Sequence, residues 1–570
     1  MKKPRDIVYG ANDVPPLGVT IFSGLQHVGI IGILLVYPLL VAREARLPTE
    51  AVFDFIGSSM LMLGIASVLQ ALPRGPVGAH FLAPPVFTAA YLTPSLTALP
   101  RGGLPLALGM TAFGGIVEVT LSRVLRRLRP YFPSELSGFV VTMIGVSVGS
   151  LGLRYLLGIT GRAAPGGAGF RELAPAAVTI ATMTGLNVWT SGAPRIFCAF
   201  IGMVLGYLVA AAAGLITSAD LALVWSAPLV QLPGLHHPGW AFEAAMVVPF
   251  LVAALATSIR TMGDVTICQR TNDAEWVRPD MKSIGGGVLA NGLANVGAGL
   301  VGSLGISTYT SSVGLAAATG VTSRRVGYAI GGMFVALAFL PKVSAFLVIM
   351  PRAVMGAALL FSACFIFVSG LQIITSRLLD VRRTIVIGLS FLLGMGVDLY
   401  PAAFVDLPSW LQPLVSSSLV LGTLSALILN VVFRLGLRRA RSLTVVPGRF
   451  DAKAVEDFIE AQGATWGARR DVIDRASFNL AQSLEAIIEG CGPAGPMVVE
   501  ARFDEFNLDL RVTYAGAPLA LPATRPTNEE IMASEEGQRR LAGFMLWRYA
   551  DGVNSTHRDG RTTLLFHFDH

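Results

Sequence analysis

An arginine and an aspartate stand four residues apart in a run that is otherwise apolar. In ALATSIRTMGDVTICQR (254–270), Arg260 ends a stretch that is apolar from Ala244 to Ile259, and Asp264 follows one turn later. A charge at that depth in a bilayer costs several kcal/mol. A guanidinium only donates hydrogen bonds. Its planar fork suits a carboxylate, a sulfonate or a deprotonated ring oxygen, often bidentately. Three readings are open for Arg260: it faces a binding cavity, it snorkels to the interface, or it pairs with Asp264, which shares its helix face. Glu118 is a second charge inside an apolar run, IVEVTL. An intramembrane acid is a functional candidate by default. It either carries a coupling proton or pairs with an arginine such as Arg154 or Arg195.

The elements that hold these residues are membrane segments. The 570-residue chain is 53% hydrophobic and 14% charged, with a mean hydropathy of +0.63, which excludes an ordinary soluble protein. Fourteen apolar segments of about spanning length are expected, near 19–42, 52–71, 77–93, 104–122, 136–156, 173–190, 195–216, 243–263, 283–302, 307–320, 325–349, 351–373, 384–400 and 414–435. The third, PVGAHFLAPPVFTAAY, and the tenth, GISTYTSSVGLAAATG, are short and rich in Pro, Gly, Ser and Thr. In a seven-plus-seven division they occupy corresponding positions, as interrupted segments do at the binding site of an inverted repeat. With the N-terminus inside, basic stretches such as RVLRRLRP (123–130), TSRR (322–325), SRLLDVRR (376–383) and RLGLRRAR (434–441) follow even-numbered segments, as the positive-inside rule requires. The net charge of +7 then needs no nucleic acid. No cleavable signal sequence is expected, because MKKPRDIVYGANDVPPLG lacks an apolar core. Cys198, Cys268, Cys364 and Cys491 form no CxxC and no metal spacing, so neither a metal nor another cofactor is expected.

Five stretches resemble the nucleobase–ascorbate transporters, also called xanthine/uracil permeases: DVPPLGVTIFSGLQHVGIIGILLVYPLL, FPSELSGFVVTMIGVSV, TSIRTMGDVT, NGLANVGAGLVGSLGISTYTSSVGLAAATGVTSRR and ALILNVVFRLG. They are collinear over about residues 9–437. The resemblance implies an all-α polytopic protein of fourteen transmembrane segments in a 7+7 inverted repeat. A core domain, segments one to four and eight to eleven, moves against a gate domain. It implies a homodimer joined mainly through the gates, and a substrate held between the short strands and half-helices of segments three and ten. Phe87, Thr88, Tyr309, Thr310, Ser311 and Ser312 lie there, and the Gln26–His27 pair matches the family's first segment. Two half-helix N-termini aimed at one spot offer free N–H groups and positive dipole ends, which suit an electronegative ligand. The sequence also departs from the family. Arg260 stands where an acid is usual, and Ser311–Ser312 where Glu or Gln followed by Asn is usual.

From about residue 445 the composition becomes that of a soluble α+β domain, with a helical pattern near 471–489 and strand-like runs PMVVEARFDE, NLDLRVTY and TTLLFHF. This tail is similar to the histidine-kinase-like ATPase fold, with Ala486 where that fold binds magnesium and Tyr514 where it binds adenine. ATP binding is therefore not expected, and a dimer-forming role or a cytoplasmic regulatory partner is. The organisation is a cytoplasmic N-terminus (1–18), a transporter domain (19–437) and a cytoplasmic tail (445–570). The expected protein is a non-enzymatic, multi-pass inner-membrane permease with both termini inside, moving a nucleobase-like or other small organic anion. Asp264 and Glu118 are coupling or structural residues. Two alternatives stay open. One is a permease for neutral purines or pyrimidines, with Arg260 paired to Asp264; the other is a non-transporting sensor signalling through the tail.

Overall fold

The computed structural model describes residues 2–570 except 129–133, 160–169, 234–236, 277–278, 376–378, 380, 405–406, 409–410, 413–414, 416, 434–439, 504–506, 523 and 534. Parts of the basic stretches 123–130, 376–383 and 434–441 therefore lie outside the described residues. The chain divides into two compact units. One comprises Met1–Phe132, Leu136–Leu371 and Leu389–Ala426, the other Pro133–Glu135, Gln372–Gly388 and Leu427–His570.

The first unit is helical except for two short strands. In chain order its elements are α1 (Leu17–Gly32), α2 (Val36–Glu44), α3 (Thr49–Gln70), β1 (Pro85–Phe87), α4 (Ala89–Leu128), α5 (Ser134–Leu156), α6 (Phe170–Trp189), α7 (Ala193–Ile196), α8 (Cys198–Ala212), α9 (Ser218–Ser226), α10 (Val247–Asn272), α11 (Met281–Val301), β2 (Ile306–Thr308), α12 (Thr310–Thr319), α13 (Arg324–Ala338), α14 (Pro341–Val348), α15 (Arg352–Thr375), α16 (Val381–Leu399) and α17 (Ser418–Phe433). Ends of α5, α15, α16 and α17 count with the second unit. Among the described residues, seven helical stretches are long and apolar enough to cross a membrane, or eight if α13 and α14, bent by 79°, form one span. The end of the segment expected at 77–93 and the whole of 104–122 fall in α4, which is two helices joined by a kink at Gly102 and Gly103. Gly103 has φ +66°, a backbone region that favours glycine.

Small residues bring α4 and α11 into close contact. A Cβ at Gly115 would lie 2.4 Å from the Val296 nitrogen, and one at Gly292 would lie 2.7 Å from the Val119 nitrogen. Neither helix could approach the other so closely with alanine there. This seam sets Glu118 of α4 against Asn291 and Asn295 of α11. The N-terminal segment ties the ends of α10 and α12: Val8 and Tyr9 both donate to the Gly320 carbonyl at 2.9 Å. Asn272 Oδ1 accepts from the Ala11 nitrogen at 3.0 Å and from Thr322 at 2.7 Å.

The second unit carries a five-stranded antiparallel sheet. Its elements are β3 (Ala440–Val445), α18 (Ala452–Trp466), α19 (Arg470–Cys491), β4 (Met497–Phe503), β5 (Asn507–Ala515), α20 (Asn528–Ala533), α21 (Glu535–Tyr549), β6 (Gly552–Arg558) and β7 (Arg561–Asp569), with strand order β3-β4-β5-β7-β6. Strands β4, β5 and β7 alternate buried and less buried residues. That is the period of a sheet covered on one face. The cover is the apolar stripe of α19, Val472, Ala476, Leu480, Leu484 and Ile487, whose spacing follows the helical repeat. The runs PMVVEARFDE, NLDLRVTY and TTLLFHF coincide with β4, β5 and β7.

Candidate functional site

Strands β1 and β2 cross at the centre of the first unit. They pair antiparallel, Pro85 opposite Thr308, Val86 opposite Ser307 and Phe87 opposite Ile306. All six residues are buried. Each strand leads straight into a helix: β1 through Thr88 into α4, and β2 through Tyr309 into α12. Two helix N-termini therefore flank the short strand pair, one at each end, and the backbone between them is non-helical. Such backbone is tolerated at membrane depth where it is buried or lines a cavity.

The side chains expected at this site are distributed as follows. Phe87 and Thr88 are each 1% exposed. Thr88 Oγ1 accepts from the Ala90 nitrogen at 3.2 Å, capping α4. Ser312 is buried in the first turn of α12 and meets His27 Nδ1 of α1 at 2.5 Å. Ser311, one position earlier, is exposed. Gln26 is 7% exposed and has no side-chain hydrogen-bond partner among the described residues. Tyr309 and Thr310 are half-buried.

Arg260 and Asp264 do not form the pair that their spacing allows. The Asp264 carboxylate accepts from Thr308 Oγ1 at 2.7 Å and from Thr310 Oγ1 at 2.6 Å. It is occupied by the strand and first helical residue of segment ten. The Arg260 guanidinium is half-buried and stands 5.8 Å over the Tyr309 ring. No ion pair joins it to Asp264 among the described residues. The physical reason is competition: two hydroxyls reach both carboxylate oxygens at short range, and the aromatic face takes the guanidinium. Asp264 thus offsets the positive end of α12 and attracts Arg260 through space, but no direct ion pair occupies the guanidinium among the described residues, and its hydrogen-bond donors stay available at the mouth of that helix.

Glu118 likewise has no arginine partner. Its Oε1 accepts from Tyr91 at 2.8 Å, Thr257 at 2.6 Å and Asn295 at 3.0 Å, and its Oε2 accepts from Asn291 at 2.6 Å. The expected alternatives Arg154 and Arg195 are not among these partners. Tyr91, Thr257, Asn291, Asn295 and Thr308 are site or hub residues that sequence reasoning missed. The four-residue spacing of the two asparagines in NGLAN was a usable signal. Nothing local marks the others. His80 is at the entry to segment three, held by the Leu72 carbonyl at 2.7 Å. A separate cavity, lined by Asp54, Ser58, Leu104, His237 and Gly302 among others, contains none of the expected site residues. Among the described residues no three His, Cys, Asp or Glu side chains converge as a metal cluster would.

A family model, described as a permease family and labelled for xanthine and uracil permeases, matches residues 18–403. The chain belongs to the xanthine/uracil permease family. It is 30% identical over 442 residues to the xanthine permease XanP of Escherichia coli strain K12, covering 75% of this chain and 95% of that one. It is 28% identical to the uric acid permease PucJ of Bacillus subtilis strain 168, covering 74% of this chain and 93% of that one. Among solved structures, the murine anion transporter Slc26a9 in its inward-facing state matches with TM-score 0.50 and 13% identity, over 75% of this chain and 70% of that one. That likeness concerns the fold. The chain is thus a multi-pass membrane permease and not an enzyme.

Proposed function

We propose that this permease moves a small planar organic anion of the nucleobase type, such as urate or a xanthine anion, and that Arg260 holds the anion. The observation that carries this reading is a guanidinium near Tyr309 that no direct ion pair occupies among the described residues. Asp264, the nearest acid on its helix, is already held by Thr308 and Thr310. The ligand lies between the half-helices that begin at Thr88 and Tyr309. Arg260 forks onto its charged edge, Tyr309, Thr310 and Ser311 flank it, and Phe87 and Thr88 close the other strand. Gln26 supplies an amide without another partner, and the His27–Ser312 bond fixes the first turn of α12. The xanthine and uric acid permeases among the relatives support the substrate class.

The finer architecture belongs to the same proposal. Fourteen segments form two inverted sevenfold repeats, and a core of segments one to four and eight to eleven slides past a gate. The protein sits in the inner membrane with both termini in the cytoplasm. It works as a homodimer, because a gate held by its twin gives the core a fixed surface to move along. The tail from 445 onward is a cytoplasmic accessory that binds a regulatory partner or strengthens the dimer. The test is uptake of radiolabelled urate and xanthine into proteoliposomes containing the purified full chain. Saturable accumulation is the expected result. Binding of either compound with no accumulation would favour a sensor instead.

A further inference from the structure

Glu118 is fully buried, 0% exposed, and four donors converge on it. An ionised carboxylate is an acceptor only, so the arrangement fits the charged form. A protonated acid would bring one more donor hydrogen, which needs an acceptor. That acceptor is present: Asn291 Oδ1 is buried and has no hydrogen-bond partner among the described residues. The Asn291 amide already contacts Oε2 through its nitrogen at 2.6 Å, and a half-turn of an amide exchanges its oxygen and nitrogen. Both states of Glu118 can thus be satisfied. When ionised it receives from Asn291 Nδ2; when protonated on Oε2 it donates to Asn291 Oδ1.

The hub also reaches the ligand site. Asn295 Nδ2 is shared between Glu118 Oε1 and the Ile306 carbonyl, both at 3.0 Å, and Asn295 Oδ1 accepts from the Ile306 nitrogen at 2.7 Å. Ile306 opens β2 and pairs with Phe87 of β1. Thr257, the donor from α10, lies three residues before Arg260 on the same helix. A change at the carboxylate therefore acts on both elements that present the ligand groups. No cation faces it among the described residues. Tyr91 of α4 is the titratable group in contact. On α10, Arg260 and Asp264 lie along the helix from Thr257, with Asp264 committed to Thr308 and Thr310. On α11 the charged residue is Lys282, at its start, and β2 has none.

We propose that Glu118 is a proton-operated positioning residue: its charge state, read by Asn291, sets how firmly Asn295 and Thr257 hold strand β2 and helix α10 at the ligand site. The step is transfer of one proton from hydronium to the Glu118 Oε2 carboxylate, leaving water, with the Asn291 amide turning to accept from it. The functional half rests on the reading of the β1–β2 crossing as the ligand site; the titration does not. The test has two readouts on the full chain in lipid. The first is infrared titration with pH. A carboxylic acid carbonyl band that grows as pH falls, is lost in Glu118→Gln and shifts in Asn291→Ala supports the proposal. A titration identical in wild type and Glu118→Gln overturns it. The second is urate counterflow against pH. A pH dependence that flattens in Glu118→Gln and returns in part with Glu118→Asp supports the positioning role, which a merely structural residue would not produce. An unchanged profile in Glu118→Gln overturns that role. Absence of urate counterflow in the wild type, with the Glu118 band titrating, would refute the ligand reading while supporting the proton switch.

Discussion

Replacing Arg260 by alanine isolates the charge at the ligand site. The guanidinium is half-buried and makes no direct ion pair among the described residues; Asp264, which feels its charge, keeps its bonds to Thr308 and Thr310 when it is lost. Its recorded aromatic contact is with Tyr309, at 5.8 Å, and such contacts are worth about 0.5–1 kcal/mol when exposed. The variant should therefore fold. A hydrogen bond to a charged group contributes about 1.5–3 kcal/mol. At about 1.4 kcal/mol per factor of ten, Arg260→Ala should weaken urate binding roughly 10- to 150-fold. Lysine keeps a point charge but not the planar fork, so Arg260→Lys should recover only a minor part of the loss. Isothermal calorimetry on the purified protein, with urate and with a neutral pyrimidine such as uracil, reads both effects. The neutral compound should show little dependence on residue 260. Tight binding of a neutral base that survives Arg260→Ala, or urate affinity unchanged in that variant, would refute the reasoning.

Three further outcomes follow from other contacts. His27→Ala leaves the buried Ser312 hydroxyl without its 2.5 Å partner, at a cost of about 1–3 kcal/mol. Thermal unfolding should shift down and urate affinity should fall together, and an unchanged transition would contradict the role given to this bond. In the tail, Tyr514 is 1% exposed, donates to the Ala517 carbonyl at 2.9 Å and accepts from the Leu519 nitrogen at 3.1 Å. The position where the resembling fold binds adenine is thus filled, and a 445–570 fragment should show no saturable ATP binding by calorimetry; micromolar binding would contradict this. His567 feels opposing effects. Partial burial disfavours its charge, but the hydrogen bond to Asp509 at 2.7 Å, with the charges of Asp509, Asp569 and Asp551, holds its pKa above the ordinary 6.5. A raised folded-state value means the stabilisation is present below the unfolded-state value and lost as pH rises through the folded one. Urea unfolding of the same fragment should show a stability decrement as pH rises above the ordinary histidine value of 6.5 that His567→Asn removes, and an equal decrement in the variant would contradict it.

The seven helices that are long and apolar enough to span, or eight with the bent pair, were legible because hydropathy over a spanning length is a local signal. Segments three and ten stood out for a related reason: Pro, Gly, Ser and Thr interrupt them where the structure has three-residue strands followed by helices. The register of β1 on β2 was not legible, since three residues give no period to read. Neither were the partners of the buried acids. The helix spacing of Arg260 and Asp264 pointed to each other, but Asp264 takes its partners 44 and 46 residues along the chain. Glu118 takes three of its four from 139, 173 and 177 residues away. In the tail, β4, β5 and β7 announced themselves by alternation, whereas β6 is mostly exposed along its length and shows none. Nothing local marks Gly115 and Gly292 as partners; the structure pairs them across one seam.

The most direct test is the structure of the full chain with urate bound, determined by electron cryomicroscopy. The account predicts density between the β1–β2 crossing and Arg260, with a ligand oxygen about 2.7–2.9 Å from the guanidinium, as charge-assisted bonds are. Asp264 should remain on Thr308 and Thr310. Urate bound elsewhere, or Arg260 turned away from it to pair with Asp264, would contradict it.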